Sequence, residues 1–288
     1  MTRKSISVIT PSYNQGPFIE RTLLSVLNQN IPGLEYIVFD GCSRDETLTI
    51  LHRYEDRVRW VSEPDHGQAH AVNKGIAASR GDIIGWLNSD DIYYPGALAK
   101  VQQYFAENPS VDVVYGDAFH IDLDDNQIEP YYTEPWNFER FLSVCFLCQP
   151  AVFFRSRVVA QFGLLDESLQ LCMDYEFWLR LAKNGAVFAY LSEPLAGSRM
   201  YTQNKTLSQR LSVHAEINDM LKKKFGKVPT KWLLNYAHVK VDEQGVPSGW
   251  RRMASTSLHS LLASLRWNHE ISKDVLQNIR SWIGVGRK

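Results

Sequence analysis

Short polar residues follow three apolar runs in the first hundred positions. They are Pro11-Ser12-Tyr13 after residues 6–10, Asp40 after residues 36–39, and Asp90-Asp91 after residues 82–87. Adjacent carboxylates offer the hard oxygen atoms that Mg²⁺ and Mn²⁺ take as ligands. The same pair can also serve as the acidic start of the next helix, since Asp is a common N-cap. Asp40 has a similar double reading, because it or Ser43 can cap a helix beginning near Asp45. Tyr13 presents a ring that can stack on a flat ligand or simply lie at the surface. Asp174 opens a helix and on its own reads as a cap. Cys145 and Cys148 have C-x-x-C spacing, yet no second pair and no histidines at ligand spacing accompany them, which argues against zinc.

The elements that must hold these residues follow from periodicity. Residues 6–10, 36–39, 58–61 and 82–87 are short β-branched or continuously apolar runs, as expected of strands buried in a parallel sheet. Helical spacing occupies residues 18–28 and 69–79, and further helices begin near Asp45 and at Pro95. Four strand–loop–helix units predict a doubly wound, mostly parallel α/β sheet, which binds ligands at the carboxyl ends of its strands. Beyond residue 100 the spacing predicts strands at 111–115, 151–154 and 186–191, a polar hairpin or loop over 120–134, and helices at 138–144 and 173–183. From residue 206 the pattern is helical, broken at 226–229 and 245–249. No G-x-G-x-x-G follows the first strand and no P-loop occurs, which disfavours a dinucleotide-binding Rossmann domain and a P-loop NTPase.

With 288 residues, 44% apolar and 22% charged, the chain is globular in composition and not disordered. No apolar run is long enough to span a bilayer, and the basic start lacks an apolar stretch behind it, so a cytoplasmic address is expected. Charge is divided unevenly. Residues 221–288 hold 13 Lys/Arg and 4 Asp/Glu, a balance of +9, which leaves −10 on residues 1–220 of a chain whose total is −1. Leu258, Leu261, Leu262 and Leu265 fall on one helical face, and Val275, Ile279, Trp282 and Ile283 repeat the pattern. The first stripe is expected to pack on the protein. The second, with Arg280, Arg287 and Lys288 around it, has two readings: it packs on the protein as well, or it contacts a membrane peripherally.

Five stretches together resemble glycosyltransferase family 2. They are Val8-Ile9-Thr10-Pro11-Ser12-Tyr13-Asn14, Val38-Phe39-Asp40-Gly41-Cys42-Ser43, residues 65–75 (Asp-His-Gly-Gln-Ala-His-Ala-Val-Asn-Lys-Gly), Gly85-Trp86-Leu87-Asn88-Ser89-Asp90-Asp91, and Met173-Asp174-Tyr175-Glu176-Phe177-Trp178-Leu179-Arg180. They cover roughly residues 5–210 and leave the last 80 unexplained. The resemblance implies a GT-A fold, to which the helical spacing from residue 206 adds a C-terminal extension. The chain is thus expected to divide into a catalytic domain over 1–205, with a nucleotide-binding half to residue 100 and an acceptor half after it, and a basic tail over 206–288.

The resemblance also implies inverting transfer of a sugar from a nucleoside diphosphate donor, UDP or TDP favoured, to a glycan or lipid-linked hydroxyl. Carried onto this chain, Asp91 would ligate Mn²⁺ or Mg²⁺ and Asp90 would lie near the ribose. Asp40 would accept a hydrogen bond from the base, with Tyr13 stacked on it and Thr10 and Pro11 contributing backbone groups. Gln68 would reach the ribose or phosphate, and Arg199 the diphosphate. Asp174 would be the general base, with Glu176 as rival about 200° around the helix. Two departures from the family pattern stand out: Met173 replaces a usual Glu, and Tyr201 replaces a His that sometimes ligates metal. They leave room for a degenerate module that binds nucleotide or glycan without turnover. A nucleotidyltransferase is a third reading, but the Gly- and Arg-rich loop of that class is missing.

Overall fold

The computed structural model describes residues 4–285, with side chains described to Trp282, so Ile283, Arg287 and Lys288 of the predicted basic, apolar face lie outside the described side chains. The first half runs β1 (Ile6–Ser12), α1 (Gly16–Leu27), β2 (Glu35–Asp40), α2 (Thr47–Arg53), β3 (Arg59–Ser62), α3 (Gln68–Ala78), β4 (Ile83–Trp86), β5 (Ile92–Tyr93) and α4 (Ala97–Glu107). The second continues with β6 (Val113–Ile121), β7 (Gln127–Pro130), α5 (Phe138–Ser143), β8 (Val152–Arg155), α6 (Arg157–Phe162), α7 (Met173–Lys183) and β9 (Phe188–Arg199). Helices α8 (Lys205–Ser208), α9 (Arg210–Phe225), α10 (Thr230–Glu243), α11 (Trp250–Asn268) and α12 (Lys273–Val285) complete it. The chain divides into two compact units, one of residues 1–138 with 145–201, the other of 139–144 with 202–288.

In the first unit one nine-stranded sheet runs β3-β2-β1-β4-β8-β6-β9-β5, with β7 on β6. β1 pairs in parallel with β2 and β4, and β2 with β3, as the alternating pattern predicts. All seven residues of β1 are buried, the mark of a strand covered on both faces. Helix α3 lies hard against it because Gly75 presents no side chain: a Cβ there would stand 2.2 Å from Ile9 Cγ2. The sheet turns mixed at β8, which is antiparallel to both β4 and β6.

Two strands outrun their sequence reading. The polar run Ser192-Glu193-Pro194 looks like a strand end, yet β9 continues to Arg199 alongside β6, which continues to Ile121. The ladder absorbs the extra residues by shifting register opposite Gly116, Asp117 and Ala118, a bulge that period-two reasoning does not register. The longer β9 delivers Arg199 to the loop bearing Asp90 and Asp91.

In the second unit the α12 stripe packs inward, as its packing reading has it, and the α11 stripe does not. Val275 and Ile279 of α12 are buried, and the Trp282 ring meets His238 of α10 edge-on at 5.2 Å, so the face with the alternative membrane reading is turned inward. In α11 Leu258, Leu262 and Leu265 point out and Leu261 is half-buried, while Thr256, Ser260, Ala263, Ser264 and Trp267 point in. Small inward residues let helices approach closely, and the hydroxyls have internal acceptors: Ser260 Oγ donates to Thr256 O at 2.7 Å and Ser264 Oγ to Glu270 O at 2.6 Å. Trp267 closes that face, packing edge-on against Tyr236 and donating from Nε1 to Asp219 Oδ1 at 2.7 Å.

Candidate active site

The carboxyl ends of β1, β2 and β4 open on one side of the first unit's sheet. At β2, Asp40 is buried and heavily used. Its Oδ2 accepts from Ser43 N at 2.9 Å and Ser62 Oγ at 2.7 Å, and its Oδ1 from Ser43 Oγ. Three of roughly four acceptor positions on the carboxylate are therefore taken by its own loop and by β3. Thr10 and Pro11 lie inside the β1–β2 ladder, opposite Val38 and Phe39, and Thr10 Oγ1 sits 3.1 Å from Tyr36 Oη. Tyr13, 60% exposed, is the open surface of this end. Beside it is Asp65, to which the sequence reading gave no role. A Cβ on Gly41 would fall 2.7 Å from Asp65 Oδ2 and 3.4 Å from Tyr13 Cδ2, so the missing side chain brings carboxylate and ring together. Asp65 Oδ1 accepts from Gly67 N at 2.8 Å, which fixes the group. Its place two residues before Gly67 in a matched stretch was the available signal.

The loop after β4 carries the carboxylate pair. The Thr22 hydroxyl of α1 lies 2.9 Å from Ser89 O and 2.8 Å from Asp91 O, pinning the turn from below. Asp91 is buried. Its Oδ1 accepts from Arg199 N at 2.9 Å, and Asn88 Nδ2 stands 3.4 Å from Oδ2. Asn88 is itself held on three sides: Oδ1 accepts from Gln68 Nε2 at 2.7 Å and Trp86 Nε1 at 2.9 Å, while Nδ2 donates to Gln149 Oε1 at 2.9 Å. Gln68 thus orients the amide next to Asp91, where the sequence reading had it touching a ligand directly. Lys74 of the same helix pairs with Glu63 at 2.8 Å.

Burial first, and the like charge of Asp90 second, push the Asp91 carboxyl well above the usual range, against the opposing Arg199 N–H. A divalent cation would relieve both effects, so the residues fit one. Among the described residues, however, no group of three or more His, Cys, Asp or Glu side chains is placed to hold a metal. The donor set is Asp91 with Asp90, and further ligands would have to come from a diphosphate and water. Tyr201 adds none: its hydroxyl donates to Asp90 Oδ2 at 2.8 Å, and burial together with the Asp90 charge raises its pKa, so it stays protonated.

Arg199 is the largest departure from the sequence reading. Its side chain is fully buried, with Nε donating to Asp90 O at 2.8 Å, Nη1 to Asp122 O at 2.6 Å, and Nη2 paired with Asp125. The guanidinium also lies 5.0 Å from the Phe18 ring centre. In place of the expected diphosphate contact, it ties the Asp90–Asp91 loop to the β6–β7 turn.

Asp174, the second residue of α7, is half-buried, and its Oδ1 accepts from Tyr175 N at 2.8 Å. Glu176 is fully buried and bound to Arg180 at 2.8 Å and 3.2 Å, and that guanidinium continues to Leu164 O at 2.7 Å. Of the two rival carboxylates, then, Asp174 is the one with an exposed edge. Burial raises the Cys148 thiol's pKa, and the charges of Asp91 and Asp174 both add to the effect. Cys145 and Cys148 are both free thiols.

Comparison with known proteins bears on the family and the fold. The sequence profile described as Glycosyl transferase family 2 matches residues 7–162. Chondroitin synthase of Escherichia coli is 29% identical over 214 residues, covering 73% of this chain, while the chain spans only 31% of that protein's length. Among solved structures, S. aureus TarS 1–349 in complex with UDP-GlcNAc superposes with a TM-score of 0.62 at 18% identity, covering 91% of this chain and 87% of that one. The mannosyltransferase PcManGT from Pyrobaculum calidifontis, in complex with GDP-Man and Mn²⁺, gives 0.63 at 17% identity, covering 100% and 81%. At these identities the structural likeness speaks for a shared fold.

Proposed function

This chain belongs to glycosyltransferase family 2, and we propose that it is an inverting transferase that moves a sugar from a nucleoside diphosphate donor, UDP or TDP favoured, to a hydroxyl of a glycan or lipid-linked acceptor. The observation that carries the reading is the buried Asp91 carboxylate beside Asp90 at the mouth of β4, held by Arg199 N at 2.9 Å, with Asp174 half-buried at the start of α7 while Glu176 is sealed off by Arg180. In this reading residues 1–205 do the chemistry and residues 206–288 are an appendage.

Tyr13 would stack on the base, and Asp65, with the remaining acceptor position of Asp40, would meet an imide N–H. A base of that kind is uracil or thymine. Asp91 and Asp90 would hold Mn²⁺ or Mg²⁺, as the GDP-Man and Mn²⁺ complex of the mannosyltransferase also suggests. When bound, the ion offsets charge developing on the departing diphosphate. Asp174 would take the acceptor proton as the acceptor oxygen attacks the anomeric carbon, while the bond from that carbon to the β-phosphate oxygen breaks. Attack from the side opposite the leaving group inverts the configuration.

The test is a panel of nucleotide sugars with Mn²⁺, scored by release of the nucleoside diphosphate. Turnover of a UDP- or TDP-sugar, abolished by EDTA and by Asp91→Ala, is expected. Full activity in excess EDTA sinks the metal assignment, and binding without turnover across donors and acceptors makes the chain a non-catalytic module.

A further inference from the structure

Helix α11 carries a surface that transfer chemistry does not use. Leu258, Leu262 and Leu265 are 55%, 50% and 46% exposed, and Trp250 at the helix start is 71% exposed. At about 100° per residue the three leucines fall within an arc of about 60°. Thr256, Ser260, Ala263 and Trp267, the buried residues, lie on the opposite side. Arg251 projects from the same arc as the leucines, and Arg266 flanks it. Both are exposed, with guanidinium groups 5.8 Å from the Trp250 ring centre and 4.4 Å from that of Trp267. Residues 250–268 contain three arginines and no Asp or Glu.

We propose that α11 docks flat on an anionic lipid surface, leucines in the acyl boundary and arginines at the headgroups. Charge selects this occupant over a second copy of the chain. Two α11 faces brought together would bury apolar area but set arginine near arginine with no carboxylate on either helix to pair with them. Anionic headgroups supply the missing charge, and long arginine stems can stretch to reach it while Trp250 sits at the interface. No helix among the described residues is long and apolar enough to cross a membrane, so the contact is peripheral. The proposal concerns the second unit alone and does not depend on the transfer reading.

Co-sedimentation of the full chain with vesicles tests it, comparing phosphatidylcholine alone with phosphatidylcholine containing phosphatidylglycerol, at low and high salt. Binding is expected to need the anionic lipid and to weaken with salt. The triple variant Leu258→Ser, Leu262→Ser, Leu265→Ser should lose about tenfold or more in affinity. Arg251→Glu with Arg266→Glu should do the same, since each arginine near such a surface contributes about fivefold. All five positions are exposed, so circular dichroism should be unchanged. Three results overturn the idea: a full chain that ignores anionic vesicles, variants that pellet as the parent does, or a parent dimer that the leucine variant converts to monomer without any vesicle binding. It also falls if Lys273→Glu with Arg280→Glu on α12 abolishes binding while the α11 variants leave it intact.

Discussion

Arg199→Met separates a structural role for this side chain from a ligand-binding one. Methionine keeps most of the aliphatic bulk and removes the charge. The variant strands Asp90 O and Asp122 O, which accept from Nε at 2.8 Å and Nη1 at 2.6 Å. A hydrogen bond to a charged group contributes about 1.5–3 kcal/mol net. The Asp125 pair adds little, about 0–1 kcal/mol, because that carboxylate is partly exposed and keeps Arg21 at 3.3 Å. The expected loss is therefore about 3–6 kcal/mol, which in a unit of this size lowers Tm by on the order of 10 °C. The Arg199 backbone N–H on Asp91 Oδ1 survives the change. Donor affinity, measured by titration calorimetry well below the melting temperature, should accordingly fall less than about tenfold. A guanidinium on the diphosphate makes the opposite prediction. Losing two charge-assisted hydrogen bonds to a ligand costs roughly 100-fold or more in affinity and leaves the melt unchanged. That pair of results, normal Tm with donor binding gone, refutes the account of Arg199 as a loop clamp.

Asp174→Asn should cut turnover by about 100-fold or more while leaving the donor dissociation constant near that of the parent, because a base acts in the transition state. Steady-state kinetics with donor titration decide it, and near-normal turnover moves the base elsewhere. A pH effect is expected from His214 in α9, whose pKa is lowered from 6.5 to about 4, by burial first and then by the charge of Arg210. Between those values the unfolded chain binds a proton that the folded chain refuses. The stability from this group is thus complete above about pH 6.5 and is lost as pH falls toward 4, by up to about 3 kcal/mol. Urea melts across this range should show a shallower acid slope for His214→Phe, and an unchanged slope removes His214 as the cause.

How legible the site was depended on whether a residue's role is set by its own loop or by a distant strand. Tyr13, Asp90 and Asp91 sit at the ends of apolar runs, and an apolar run that stops at a polar residue tells where the strand mouth is. The direction in which a carboxylate points is a different matter. Asp40 is drawn inward by Ser43, three residues on, and by Ser62 on the neighbouring strand. The open carboxylate beside Tyr13 belongs instead to Asp65, brought there by a missing Cβ at Gly41. Gln68 and Arg199 were read as ligand contacts because the family resemblance carried those roles onto their positions. Here their partners come from 20 or more residues away: Asn88 for one, and Asp90, Asp122 and Asp125 for the other. A bulge in β9 decides the second case. Spacing alone gives no signal for it.

The tail fails for another reason, and that reason bears on its function. A helical stripe of leucines predicts an inward face because burial of apolar area usually outweighs other terms. In α11 the inward face is instead closed by Trp267, whose ring packs on Tyr236 and whose N–H has a carboxylate partner, together with small residues whose hydroxyls bond internally. Such a face needs no leucine to be well packed. The leucines then remain exposed on a helix with three arginines and no acid, a cost that a chain folding for stability alone has no reason to carry. Three adjacent large apolar side chains in water are usual where another surface covers them. Their position opposite an inner face that is already packed means that occupying them would require no repacking of the second unit. Binding and release at this face can therefore be reversible, governed by lipid charge and salt, while the fold beneath stays fixed.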